Sequence, residues 1–132
     1  MQPDFENIAS AIPGRGVTNH MGRITIPNMD LSSDEGMLRL LAAVGSELDA
    51  AAERCMSASC DYMAMGMSAP TFFGGYEECV RKRAHMEKVC GVGVSSGSFA
   101  CEAALKAFGC KRIAVLSPYQ KVGDVEVTRF FT

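Results

Sequence analysis

Residues 91–119, GVGVSSGSFACEAALKAFGCKRIAVLSPY, decide the fold class. Gly91-Val92-Gly93-Val94 leads into a strand, Ser95-Ser96-Gly97-Ser98 makes a hydroxyl-rich turn, and Phe99–Phe108 has the apolar spacing of a helix. Arg112–Leu116 (RIAVL) then returns as an apolar run of the kind that fills parallel sheets buried on both faces. Strand, helix and strand in that order form a βαβ unit with a right-handed crossover.

The same alternation extends upstream. Tyr62–Met65 reads as a short buried strand, and Tyr76–Val89 as a charged amphipathic helix. Ser32-Ser33-Asp34-Glu35 opens a long helix: Ser32 and Glu35 stand at capping-box spacing, and Leu38, Leu41, Val44, Leu48 and Ala52 recur at helical intervals. Val17–Ile26, with alternating and β-branched residues, predicts a strand closed by Pro27. Residues 4–11 predict a short helix with Asp4 as N-cap, ended by Pro13-Gly14, and Val122–Phe131 begins a last helix. The expected fold is α/β, a parallel sheet with helices on both faces, in one flavodoxin- or Rossmann-like lobe spanning residues 1–132. Because the chain opens on a helix and closes on apolar residues, the sheet is expected to be incomplete at both ends.

Composition narrows the function classes. The net charge is −2, and no basic run exceeds Arg81-Lys82-Arg83, which sits among Glu77, Glu78 and Glu87; a nucleic-acid footprint is not expected. No apolar run reaches the length of a membrane span and no leader pattern is present, so a soluble, cytoplasmic protein is expected. Cys55, Cys60, Cys79, Cys90, Cys101 and Cys110 lie in or beside apolar segments without CxxC spacing. His20 and His85 are far apart in sequence, so no metal site is expected, and most of the six cysteines read as small buried hydrophobes.

Ligands of open parallel sheets bind beyond the carboxyl ends of the strands, where helix N-termini present free amides. Three such junctions carry candidates: Gly66-Met67-Ser68, Ser95-Ser96-Gly97-Ser98, and Ser117-Pro118-Tyr119-Gln120. They hold hydroxyls and small residues but no carboxylate, which suits a small anion; serine and glycine are equally common there as plain caps and turns. Gly93-Val94-Ser95-Ser96-Gly97 matches the GxSxG nucleophile elbow, yet no histidine follows Ser95, which argues against a serine hydrolase. Gly91, Gly93 and Gly97 miss the dinucleotide fingerprint, because the spacing is one residue too long and two of them precede the strand.

The segments DYMAMGMSAPTFFGG (61–75), residues 91–119 and MQPDFENIASAIPGRGVTNHMGRITIP (1–27) together resemble the aspartate/glutamate racemase superfamily. Within it the likeness is to the branch of maleate cis-trans isomerase and arylmalonate decarboxylase, most specifically over Ala104–Tyr119. The resemblance implies the N-terminal half of a two-lobe enzyme that uses neither cofactor nor metal. Such an enzyme isomerises or decarboxylates a small mono- or dicarboxylate through an enediolate-type or covalent intermediate. It further implies that Gly66, Met67, Ser68 and Tyr119 bind the carboxylate, with Ser95, Ser96 and Ser98 beside them. Gly66 stands where the family's first catalytic cysteine would be, so no catalytic residue is assigned on this chain. The alternative is a non-catalytic carboxylate-binding or self-associating module, in which exposed apolar surface pairs the chain with a second copy.

Overall fold

The computed structural model describes residues 2–14 and 16–132. Met1 and Arg15, both inside the segment 1–27 that carries part of the resemblance, lie outside the described residues. The chain is mixed α/β and mostly helical: α1 (Gln2–Ser10), α2 (Asp34–Met56), β1 (Tyr62–Ala64), α3 (Gly75–Cys90), β2 (Gly93–Ser95), α4 (Gly97–Ala107) and α5 (Lys121–Phe131). A 3₁₀ turn, Ala69–Thr71, lies between β1 and α3.

The helices follow the local signals closely, with two corrections. Helix α1 starts at Gln2, so Asp4 sits in its first turn and is not the N-cap. Helix α2 is capped by Ser33, not Ser32: Ser33 has the extended backbone of a cap (φ −130, ψ 163), and its hydroxyl accepts from the Gly36 amide at 3.1 Å. Ser32 is engaged upstream, donating its amide to Asp30 Oδ1 and its hydroxyl to Asp30 Oδ2, both at 2.9 Å. These two bonds hold the Asp30 carboxyl below its usual range, the amide contributing first. The Asp30 carbonyl passes so close that a Cβ on Gly36 would lie 2.3 Å from it.

The expected sheet is reduced to its centre. Strands β1 and β2 pair in parallel, with Tyr62 opposite Gly93, Met63 opposite Val94 and Ala64 opposite Ser95. The strands expected over 17–26 and 112–116 do not form among the described residues. Nor is β1 a buried strand, since Tyr62 and Ala64 are exposed on either side of a half-buried Met63. A β-branched run becomes a strand only when a neighbour completes its ladder, and Arg112–Leu116 has none; Leu116 is 100% exposed.

Helix α3 is central, packing on α2, α5 and β2. Gly74 and Gly75 turn the chain into it with φ of 99 and 75, and the Gly74 amide reaches Glu126 Oε2 of α5 at 2.7 Å. One apolar cluster joins Phe72, Cys79, Phe99, Val127 and Phe130, where the Phe72 and Phe130 rings meet edge to face at 5.4 Å. The Arg83 guanidinium lies 4.2 Å from the centre of the Phe99 ring. A second cluster, Ala52, Met86, Cys90 and Val94, lies between α2, α3 and β2. Phe72 of the loop after β1 is therefore a packing residue. All six cysteines are free; burial pushes the thiol pKa of Cys79 and Cys90 upward.

The accessible surface is 8904 Å², against about 6,700 Å² for a compact monomer of this length. Large apolar side chains contribute to this surface: Phe108 is 85% exposed, and Val115 and Ile8 are also exposed. No helix among the described residues is long and apolar enough to cross a membrane.

Candidate functional site

Strands β1 and β2 end side by side, and one further bond, Met65 amide to Ser95 carbonyl at 2.9 Å, carries the pairing just past them. The two chains then diverge. After β1, Gly66 and Ser68 are exposed and Met67 is half-buried. The 3₁₀ turn with Pro70 follows and bends the backbone back towards α4. Gly97, the first residue of α4, is in contact with this turn: a Cβ there would lie 3.4 Å from Ser68 Cβ and 3.6 Å from Thr71 Oγ1.

Thr71 joins the first two junctions. Its hydroxyl donates to the Ser68 carbonyl at 2.6 Å and accepts from the Ser98 amide at 3.2 Å, one of the orphan donors of the first turn of α4. Ser96 is the N-cap of α4 by its extended backbone, but its side chain makes no cap bond. Its hydroxyl instead lies 3.2 Å from that of Ser98, which is fully buried. Helix α4 thus starts among neutral hydroxyls.

The third junction folds onto the first. The Tyr119 hydroxyl and Ser68 Oγ are 2.6 Å apart, across 51 residues of sequence. Tyr119 is fixed from behind: its amide donates to Ser117 Oγ at 3.2 Å, and its ring packs against the aromatic cluster. Gly123 gives it room, since a Cβ there would lie 2.5 Å from Tyr119 Cβ. Gln120 Nε2 donates to the Leu31 carbonyl, and the Val122 amide donates to Asp34 Oδ1 at 3.1 Å. A single carboxylate, Asp34, therefore lies in the first turn of α2 and also caps the N-terminus of α5.

The two helix starts at this edge differ in charge. That of α5 is met by Asp34, whereas the Ser98 amide of α4 is met only by the hydroxyl of Thr71. Ser68, Tyr119, Ser96 and Ser98 are gathered around the start of α4 directly or through Thr71, and Ser95 closes the strand beneath them. Gly66 and Met67 lie in the connecting turn and make no side-chain bond there. The arrangement presents the Ser68 and Tyr119 hydroxyls beside the start of α4, donors of the kind that suit an anion, while Gly66 holds no thiol at the position the resemblance gives to a cysteine. No cluster of three or more histidine, cysteine or carboxylate side chains with metal-binding geometry occurs among the described residues.

Sequence reasoning located the first two strand ends but not the connections between them, and the third segment, 117–120, leads into α5 without a strand before it. The bridging role of Thr71, the space left by Gly123 and the double duty of Asp34 all depend on contacts remote in sequence. A scan against protein-family models finds no match, and no curated protein matches the chain significantly.

Proposed function

We propose that this chain is a cofactor-independent enzyme lobe that binds a small mono- or dicarboxylate for isomerisation or decarboxylation. In this reading it corresponds to the N-terminal half of a two-lobe enzyme like maleate isomerase or arylmalonate decarboxylase, acting through an enediolate-type or covalent intermediate. The two-strand sheet is then the centre of a larger parallel sheet covered by helices on both faces. The observation that carries the proposal is the bond between Ser68 and Tyr119 beside the start of α4.

A carboxylate entering here exchanges the hydroxyl–hydroxyl bond for two charge-assisted ones and gains the field of the α4 N-terminus. The same donors would stabilise an oxyanion that develops as the substrate reacts. With glycine at position 66, the chain's assigned part is to bind and orient the substrate; the proposal gives it no proton-transfer step. Free, partly buried cysteines favour a reducing, cytoplasmic setting.

Calorimetric titration with maleate and with malonate tests the reading. Binding to the unmodified chain is expected to weaken about tenfold to a hundredfold in Ser68→Ala and in Tyr119→Phe, one charge-assisted hydrogen bond being lost in each. Unchanged affinity in both variants, with folding intact, would remove the site assignment.

The second reading, a non-catalytic carboxylate-binding or self-associating module, is favoured by two observations: the glycine at position 66 and the exposed apolar run ending at Leu116. A concentration-dependent sedimentation coefficient that Val115→Lys abolishes supports self-association through that run. A monomer at every concentration removes it.

A further inference from the structure

Away from the hydroxyl cluster, the end of α2 carries two thiols that the proposed function does not use. Helix α2 ends at Met56, and the chain reverses through Ser57, Ala58 and Ser59 before reaching Cys60. Ser59 has φ 55, the left-handed conformation that serine seldom adopts and that normally ends a helix on glycine. This turn is closed by bonds from the Ala58 amide to the Cys55 carbonyl (3.2 Å) and from the Ser59 amide to the Met56 carbonyl (2.9 Å). It directs Cys60 back onto the last turn of α2, where its thiol donates to the Cys55 carbonyl at 3.7 Å. The Cys55 thiol donates in turn to the His20 carbonyl at 3.7 Å. Both side chains are partly open to solvent, in contrast to the buried Cys79 and Cys90.

We propose that Cys55 and Cys60 are a redox pair that closes to an intramolecular disulfide when the chain meets a low-molecular-weight disulfide such as oxidised glutathione. The Cys55 thiolate attacks one sulfur of glutathione disulfide, the S–S bond breaks, and one glutathione thiolate leaves. The Cys60 thiolate then attacks the Cys55 sulfur of the mixed disulfide and expels the second glutathione. Two protein thiols are oxidised, one glutathione disulfide is reduced to two glutathione molecules, and the two thiol protons pass through solvent to the leaving thiolates. The left-handed turn at Ser59 has already brought the chain back on itself, so the ring closes within the existing bend. The disulfide ties the end of α2 to the residue that precedes Asp61 and β1, the strand leading to Ser68.

Burial and the neighbouring Cys55 thiol raise the pKa of Cys60, so the resolving step is slow at neutral pH. Its rate is expected to rise about tenfold per pH unit below that pKa. Cys90 also lies within electrostatic reach of Cys55, but it is buried in the second apolar cluster and closed to an incoming reagent. The inference is independent of any carboxylate binding.

The test treats the reduced, folded chain with glutathione disulfide, blocks the remaining thiols by alkylation, and digests with a protease that cleaves before aspartate. Residues 49–60 then emerge as one peptide whose only cysteines are Cys55 and Cys60. The expected product is this peptide lighter by two hydrogens and unalkylated, with Cys79 still protected. In Cys60→Ser the expected product is a glutathione adduct retained on Cys55. The exposed Cys101 and Cys110 serve as internal controls for the reagent. The proposal is overturned if Cys55 and Cys60 are both alkylated while Cys101 and Cys110 have reacted. A Cys55–Cys90 bond, or closure only after Cys79 has become reactive, overturns it equally.

Discussion

Two glycines of the same helix are expected to respond to the same substitution with opposite signs. Gly36 and Gly45 both lie in α2, and helix propensity alone makes alanine better at each by about 1 kcal/mol. Around Gly45 there is nothing within 4 Å of an added Cβ, so Gly45→Ala is expected to realise that gain. At Gly36 the added carbon would lie 2.3 Å from the Asp30 carbonyl oxygen, and contact at ordinary van der Waals distance requires a retreat of about 1 Å. That carbonyl is not free to move. Asp30 is tied to Ser32 by two bonds, and the next residue, Leu31, accepts from Gln120. Overpacking costs about 1–3 kcal/mol, and against a backbone oxygen that cannot retreat the cost sits at the upper end, about 2–3 kcal/mol, so the net effect of Gly36→Ala is a loss of about 1–2 kcal/mol after the propensity gain. For a domain of this size that lowers Tm by about 3–12 °C, while Gly45→Ala raises it by about 3–6 °C. Thermal melts followed by circular dichroism, with urea midpoints at constant m-value, measure both changes. A rise in Tm for both variants would refute the close approach of residues 30 and 36, and with it the anchoring of Gln120.

Four further outcomes are expected. Ser33→Ala should cost about 1 kcal/mol in urea unfolding and Ser32→Ala clearly less, because only Ser33 caps α2; equal losses would restore the capping-box reading. Gly123→Ala should weaken carboxylate binding in the same direction as Tyr119→Phe, by displacing the ring while leaving its hydroxyl intact; unchanged calorimetric affinity would show that Tyr119 needs no such space. Cys79 and Cys90 have folded pKa values above their ordinary value, so the stability from their burial is complete below about pH 8.5 and is lost as pH rises further. Urea midpoints should therefore fall on the alkaline side, with a shallower fall in Cys79→Ala; identical slopes would count against the shift. At the other extreme, Asp30 and Glu35 are held below their usual values, first by the backbone amides of Ser32 and Glu35, and by the hydroxyls of Ser32 and Ser33. Their contribution is present above about pH 4 and fades as pH falls through the depressed values, so Asp30→Asn should flatten the acid limb of the same measurement.

The helices were legible because their causes are local. Serine and acidic residues before the apolar period of α2, the glycine after Cys90 and the spacing within α4 and α5 each act within a few residues. Even so, Ser32 and Ser33 could not be separated by spacing alone, since the choice depends on which of them Asp30 engages. Strands were harder to read. Val17–Ile26 and Arg112–Leu116 have β composition, but composition states only that a run suits a pleated surface, not that a neighbour is present to pair with it. The short β1–β2 pair forms where Tyr62–Ala64 and Gly93–Ser95 are brought together by α3 packing on β2. Likewise, Ser68 was legible as a residue just beyond a strand, whereas the strand expected before Tyr119 does not form and the meeting of the two was not legible. It depends on Gly123, Asp34 and Leu31, none of which lies close to Ser68 in sequence.

The contact between Asp34 and the Val122 amide spans 88 residues, and Val122 is in the first turn of α5, where an amide has no acceptor within its own helix. Whatever shielding that amide shows against exchange with heavy water is therefore conferred by a carboxylate at the far side of the chain. Amides deeper in α5 report whether the helix is wound; the Val122 amide reports whether it is docked. The intrinsic exchange rate of the Val122 amide divided by its observed rate gives the free energy of docking the start of α5 on α2, with no ligand added and no residue changed.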